Sequence, residues 1–414
     1  MKCVLIGAGS RGMLYARWAY EHGVEIVAVA EVRPDRLQRA GEELQIPAER
    51  LFSTAEALFA CGKLADTAIV ASLDKAHFGH VMAALDAGYD VLLEKPISPS
   101  AWECLEVERR ALALGRKVTV CHVMRYHALV TAIREILDSG ELGRVVNVKH
   151  TENVGNWHMA HSFVRGNWHS STETAPIILA KSCHDMDLLL WLTNAHCTRV
   201  AAFGSLTYFR SENAPAGSAE RCCDCAVAAP CRFEAAKVYL PCLGVWPTDM
   251  VCLEQTETAV TEALRTSPYG RCVFRCDNDV CDHMSVAMEF DTGATATFTL
   301  NGHSDRMHRQ FHIMCTEGEI EADDRTNCLT IRRFPVNETA PEQVEVRQIE
   351  TSGIGHGGSD LVMMEDFFLH GGAERSSVTL SVESHLMALA AEESRVTGQV
   401  VSLEEFRKKA LQSV

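Results

Sequence analysis

The chain has 414 residues, 47% of them apolar and 23% charged, with a formal net charge of −16. This is the composition of a folded globular protein too long for one ordinary core, so two domains are expected. The acidic balance argues against nucleic acid or an anionic membrane as the main partner, since both demand a basic footprint. No run approaches the roughly 20 apolar residues that span a bilayer. The first strand starts at Lys2, which predicts no cleavable leader and a cytoplasmic protein. In that compartment 17 cysteines do not imply a disulfide framework.

In chain order, residues 3–6 form a short apolar run suited to a buried parallel strand. It ends in Gly7-Ala8-Gly9-Ser10-Arg11-Gly12, a GxGxxG turn, and a helix-periodic segment follows from Met13. Gly7 permits the tight turn, Gly9 lets phosphates approach the backbone, and Gly12 lets helix and strand pack closely. Ser10 and Arg11 complete the turn, whose free N–H groups would face a pyrophosphate. A second strand, 24–30, leads into Glu31, 19 residues beyond Gly12. At that spacing a carboxylate accepts hydrogen bonds from the adenosine ribose. It would repel a 2′-phosphate, so Glu31 favours NAD over NADP, a preference that the nearby Arg33 weakens.

Helical stretches at 34–44 and 78–87 alternate with buried strands at 67–71 and 90–93. Such alternation predicts an α/β domain with a parallel sheet covered on both faces. Ligands of these sheets gather at the carboxyl ends of the strands. Ser72, His77, Glu94 and Lys95 stand at such ends and are expected to line the cofactor.

The motif GAGSRG, the acid Glu31, the segment ASLDKAHFGHVMAALDAGYDVLLEKPIS at 71–98 and CHVMRY at 121–126 resemble the Gfo/Idh/MocA oxidoreductases. The resemblance implies a Rossmann domain over 1–121. It implies a second, α+β domain over 122–414 with a large, open, mainly antiparallel sheet, one face toward substrate and the other toward further subunits, hence a homodimer or homotetramer. It also implies that Lys95 reaches both nicotinamide and substrate hydroxyl, and that Lys95–Pro96 is cis.

Residues 152–168 gather Glu152, His158, His161, Arg165 and Trp168 around two glycines. Aromatic faces stack on sugar C–H surfaces and the polar groups bind hydroxyls, so these residues, with Tyr126, are the expected substrate contacts. His158-x-x-His161 leaves half a metal site as the other reading. Further on, Lys181, His184, Asp185 and Asp187 lead into an apolar helix. Oxidising an alcohol requires a base for the hydroxyl proton, which His184 supplies near neutrality. Lys181 would favour the developing alkoxide. Registered on His184 and Asp187, the family's usual Asp falls on Ala180, so Lys181 or Asp185 is expected to fill its role.

Residues 211–282 depart from the family pattern. Cys222, Cys225 and Cys231 offer one side of a tetrahedral zinc site, with Cys276 and Cys272 leading for the fourth ligand and Cys242 behind. A structural zinc would pin an insertion too loop-rich to bury much core of its own; buried free thiols, or an iron–sulfur or redox site, are the competing readings. Strands at 286–290 and 295–300 flank a hairpin turn, and those at 311–315, 319–321, 328–333 and 344–349 extend the sheet. A glycine-rich loop at 353–360 is expected to present His356 to the pocket, and a C-terminal helix, 382–397, packs back on the body.

These readings predict an NAD-dependent oxidoreductase acting on a carbinol of a sugar or sugar-like polyol, with Lys95 orienting the hydroxyl and His184 taking its proton. An NAD-dependent glycoside hydrolase, oxidising C3 transiently and expelling the aglycone by elimination, is the alternative that Ala180 keeps open. A non-catalytic sensor of NAD and sugar is third, and the intact Lys95 and His184 speak against it.

Overall fold

Two sheets organise the chain, seen in a computed structural model that describes residues 1–352, 356–372 and 374–412. The first holds β1 (Lys2–Ile6), β2 (Glu25–Ala30), β3 (Leu51–Phe52), β4 (Thr67–Val70), β5 (Asp90–Leu93) and β6 (Val118–Val120). Their order is β3-β2-β1-β4-β5-β6, and every pairing is parallel. The order reverses beside β1, between β1 and β4, which is where such sheets open a crevice for a dinucleotide. Val4, Leu5, Ala68, Ile69, Val91 and Leu92 are all fully buried, as a sheet covered on both faces requires.

The second sheet is built from β7 (Val145–Asn153), β8 (Cys197–Ser205), β9 (His283–Phe290), β10 (Thr295–Asn301), β11 (His308–Cys315), β12 (Gly318–Asp323), β13 (Cys328–Arg333), β14 (Gln343–Gln348) and β15 (Val401–Ser402). The order is β14-β13-β12-β11-β7-β10-β9-β8-β15, antiparallel throughout except for the parallel pair β7 and β10. Alternation along the strands sets its two faces. In β9, Met284, Val286, Met288 and Phe290 are buried while Ser285 and Ala287 are exposed. The buried face packs against the helices Cys183–Thr193 and Val378–Thr397, and the other face lies open.

Between β8 and β9 runs the insertion, 206–282. It carries the short helices Ala235–Tyr239 and Glu257–Thr266 around a core of its own, made of Ala235, Tyr239, Val251, Val260, Leu264 and Tyr269. The expectation of an insertion without much core is therefore corrected. Tyr208 and Phe209 lie against His303 of the main body, and Phe233 and Phe274 pack on them in turn. The expected loop at 353–360 falls partly outside the described residues, which resume at His356.

Candidate active site

The glycine turn has the shape a dinucleotide needs. Gly7 adopts φ +92°, and a Cβ there would lie 2.6 Å from the Ala71 carbonyl oxygen; at Gly12 a Cβ would lie 2.0 Å from the Gly7 oxygen. Neither position tolerates a side chain. At Gly9 the nearest atom is Arg36 Nη1, 3.7 Å from a built Cβ, so the approach to the backbone is open. No side chain caps the helix Ser10–Glu21, and its first N–H groups are left for an anion. Glu31 stands at the end of β2 as expected, its Oε2 accepting from Ala8 N at 2.7 Å and its Oε1 from Arg33 N at 2.9 Å. Arg33 itself pairs with the exposed Asp35. These residues fit NAD.

Of the expected cofactor contacts, one is engaged within the protein and another is corrected. Arg11 sets its guanidinium on Glu94, Tyr15 and Asp360. His77 is buried with one ring nitrogen 2.6 Å from Pro96 O and the other 3.0 Å from Ser72 O, so it ties two loops together. Ser72 Oγ meets His80 Nδ1 at 2.9 Å.

Beyond β5 the chain turns through Glu94, Lys95 and a cis Lys95–Pro96 bond, as the resemblance implied. Glu94 is buried; burial pushes its carboxyl up, but Arg11 and Lys95 outweigh that and hold it below the usual range. Its Oε2 accepts from Lys95 N at 2.9 Å, and Lys95 Nζ reaches across to donate to Ala180 O at 2.9 Å. Four residues past Ala180, His184 is buried with Nδ1 lacking any partner. Burial first, then the charge of Lys95, pushes its imidazole well below the ordinary value, so it is neutral at pH 7. The His356 ring lies 6.0 Å from that of His184 and is anchored by Asp360 Oδ2, 3.0 Å from its Nδ1. Lys95, His184 and His356 thus come together as the sequence suggested.

A second ionic cluster lies on the sheet side. Lys181 Nζ is 3.1 Å from Glu152 Oε1, and Arg309 joins Glu152 to Asp185, its Nε donating to Asp185 Oδ1 at 2.8 Å. His150 Nε2 meets the same Asp185 oxygen at 2.8 Å. Burial pushes Asp185 up, yet Arg309 and His150 win and hold it far below the usual carboxylate range. It is fully buried and fully engaged, which corrects its candidacy as an acid–base group. Asp187 is likewise taken, by Arg125 through two bonds of 2.7 Å. Arg309 was missed in the sequence, its one signal being a cation at an inward position of an alternating strand.

The expected sugar contacts divide. Glu152 forms the floor under Lys181, and His158 is half-buried, its imidazole pushed well down by burial and then by Lys181. Four others point elsewhere and are corrected. His161 stacks on Tyr269 and meets Tyr239 Oη at 3.0 Å inside the insertion. Arg165 is spent on the carbonyls of Arg271 and Phe233. Trp168 donates its indole N–H to Asp74 at 3.0 Å, a tie between the two sheets' lobes. Tyr126 is buried and donates to Asp366 at 2.9 Å.

The zinc set is corrected as well. Cys222, Cys225, Cys231 and Cys272 line one small void beside Arg165, whereas the Cys276 thiol donates to Cys272 O and faces a separate surface groove. Among the described residues no three His, Cys, Asp or Glu side chains are grouped to hold a metal ion.

A parallel sheet with a glycine turn, an acid at the end of β2 and a lysine facing a buried histidine define an NAD-binding oxidoreductase. Comparison agrees: residues 1–122 match the oxidoreductase family with NAD-binding Rossmann fold, and residues 130–321 match the GFO/IDH/MocA C-terminal domain. The chain belongs to the Gfo/Idh/MocA family. Over 319 residues it is 25% identical to YteT of Bacillus subtilis (strain 168), named as an oxidoreductase, covering 73% of this chain and 72% of that one. It is 28% identical over 197 residues to an inositol 2-dehydrogenase of Pseudomonas savastanoi, covering 47% of this chain and 55% of that one, about half the relative's length. Among solved structures, levoglucosan dehydrogenase in complex with NADH superposes with a TM-score of 0.69 at 16% identity, covering 97% of this chain and 99% of that one, a likeness of fold. No described helix is long and apolar enough to cross a membrane.

Proposed function

We propose that this oxidoreductase is an NAD-dependent dehydrogenase of a carbinol on a sugar or sugar-like polyol. The observation that carries the reading is Lys95, whose ammonium crosses from the end of β5 to the Ala180 carbonyl, within the turn that delivers His184. When bound, NAD supplies the hydride acceptor. Lys95 then donates to the substrate hydroxyl oxygen and fixes which carbon faces the cofactor. Neutral His184 takes the hydroxyl proton, and the Lys95 charge that depresses its basicity also favours the alkoxide as it develops. Lys181, steadied by Glu152, and His356, steadied by Asp360, are the further hydroxyl-binding groups. Relatives named as inositol and levoglucosan dehydrogenases support the substrate class.

Ala180 favours a second reading, because a family carboxylate is replaced there by a methyl group and Lys95 meets a carbonyl instead. A glycoside hydrolase with resident NAD would oxidise C3 transiently, acidify the C2 proton and expel the aglycone.

One assay separates them: the protein with NAD against free sugars, inositols and aryl glycosides. NADH formed in step with a free sugar or polyol is the expected result. Aglycone release without net NADH, with solvent deuterium entering at C2, would replace the dehydrogenase by the hydrolase.

A further inference from the structure

Hydride transfer leaves one feature of the insertion unused, the short segment 243–247. It exposes Leu243, Val245 and Trp246, the indole with 37% of its surface in solvent. The segment is nevertheless firmly held. Gly244 N donates to Gln255 Oε1 at 3.0 Å, and Thr248 Oγ1 donates to Tyr239 O at 2.5 Å. A large apolar ring fixed in place and left wet gives up burial that it could have had, so its location bears on its use.

That location is beside the loop 152–168. The Trp246 ring lies 4.9 Å from Trp157, tilted by 55°, and 4.9 Å from His158, nearly perpendicular to it. His158 in turn feels the charges of both Lys181 and Lys95. Two residues past the segment, Asp249 feels Arg39 and Arg36 of the helix Pro34–Glu43, and Arg36 is the group nearest Gly9 of the cofactor turn. The segment therefore packs on Trp157 and His158, a few residues along the chain from the Glu152 that pairs with Lys181. Two tilted indoles with a histidine edge between them offer flat apolar faces and a polar rim, the surface that matches the C–H face and hydroxyl edge of a pyranose.

We propose that Trp246, with Trp157 behind it, is a stacking platform for a second sugar ring, so that the substrate is a glycoside of two or more rings and not a free monosaccharide. This rests on the sugar-carbinol reading above. The ring to be oxidised lies at Lys95 and His184, and its neighbour lies against Trp246.

The test compares a disaccharide with the monosaccharide that forms its oxidised end, using NAD-supplied wild type, Trp246→Ala and Trp246→Phe. Wild type should show a kcat/KM for NADH formation or aglycone release at least about tenfold higher on the two-ring substrate. In Trp246→Ala that ratio should fall about tenfold, chiefly through KM, and Trp246→Phe should fall between. A ratio of one in wild type, or a ratio that neither variant moves, overturns the proposal. Should no sugar be turned over, the carbinol reading fails, and the platform is judged by indole fluorescence. Quenching by the disaccharide that disappears in Trp246→Ala supports it, and quenching that persists or never occurs ends it. Unchanged melting midpoints would tie the loss to the ring face, and Trp246→Phe serves if the alanine variant does not fold.

Discussion

On one side of Lys95, Arg11 keeps 34% of its side chain exposed while its partners Glu94 and Asp360 keep 8% and 2%. On the substrate side, Arg309, Glu152 and Asp185 are sealed, with side-chain exposures of 8%, 2% and 0%. Both clusters flank the same lysine and both combine arginine with carboxylates. Solvent distinguishes only their arginines: Arg11 is about one-third exposed and Arg309 is sealed, while the carboxylates of both are buried. In either cluster a carboxylate that loses its cation has nowhere to find another, but water can enter the place that Arg11 leaves.

The largest effect comes from removing the group that stands between the clusters. His184→Gln should lower kcat by about 10²–10⁴-fold, the range for losing a positioned base, while changing the urea midpoint little. Steady-state NADH formation with the substrate found in the panel measures it. Equal kcat in the variant would move the base elsewhere, with His356 the next candidate.

Breaking each cluster at its arginine tests the comparison directly. Arg309→Met strands Glu152 and Asp185 in the core and should cost about 3–5 kcal/mol in urea unfolding. Arg11→Met also strands two buried carboxylates, Glu94 and Asp360, but opens their site to water, and should cost less, about 2–3 kcal/mol. Similar costs for the two would erase the distinction.

Acid should act through buried histidines on both sides of Lys95. Eight imidazoles, His184, His158 and His122 among them, are pushed down by burial and take up protons at lower pH than in the unfolded chain. Unfolded imidazoles titrate near 6.5, so below that pH the unfolded chain binds protons that the native one refuses. Stability therefore falls as pH drops below about 6.5, by up to about 1.4 kcal/mol per pH unit for each such group. Asp185 and Asp360, held low, pull the same way only at lower pH. Glu152, Asp187, Glu108 and Asp249, pushed up by burial, and His196, raised by Glu383, oppose it but are fewer. Urea midpoints near pH 7.5 and pH 5.5 should show the loss, and a midpoint that rises on acidification would reverse the sign.

What could be read in the chain follows from the range of the interactions. The glycine turn, Glu31 and Glu94-Lys95-Pro96 are local, their chemistry set by residues a few positions apart, and the structure keeps their places. Side chains in 152–168 were misassigned for the opposite reason. His161, Arg165 and Trp168 are polar or aromatic groups whose partners, Tyr239, Phe233 and Asp74, lie 78, 68 and 94 residues away. Sequence spacing carries no trace of such pairings. The cysteines divide: Cys222, Cys225 and Cys231 share a void with the distant Cys272, while Cys276, only four residues from Cys272, faces a separate groove.

The smallest effect tests the seam between the clusters. Trp168 packs near Phe163 and donates its indole N–H to Asp74, a residue only 4% exposed, in the loop after β4. Trp168→Phe keeps most of the ring packing but removes the donor, leaving a buried carboxylate oxygen unpaired, at a cost of about 1 kcal/mol. Because the bond joins the two lobes and meets no substrate, the melting midpoint should fall by a few degrees while KM for the sugar holds. A KM that rises several-fold with an unchanged midpoint would return Trp168 to the pocket and make the seam part of the binding site.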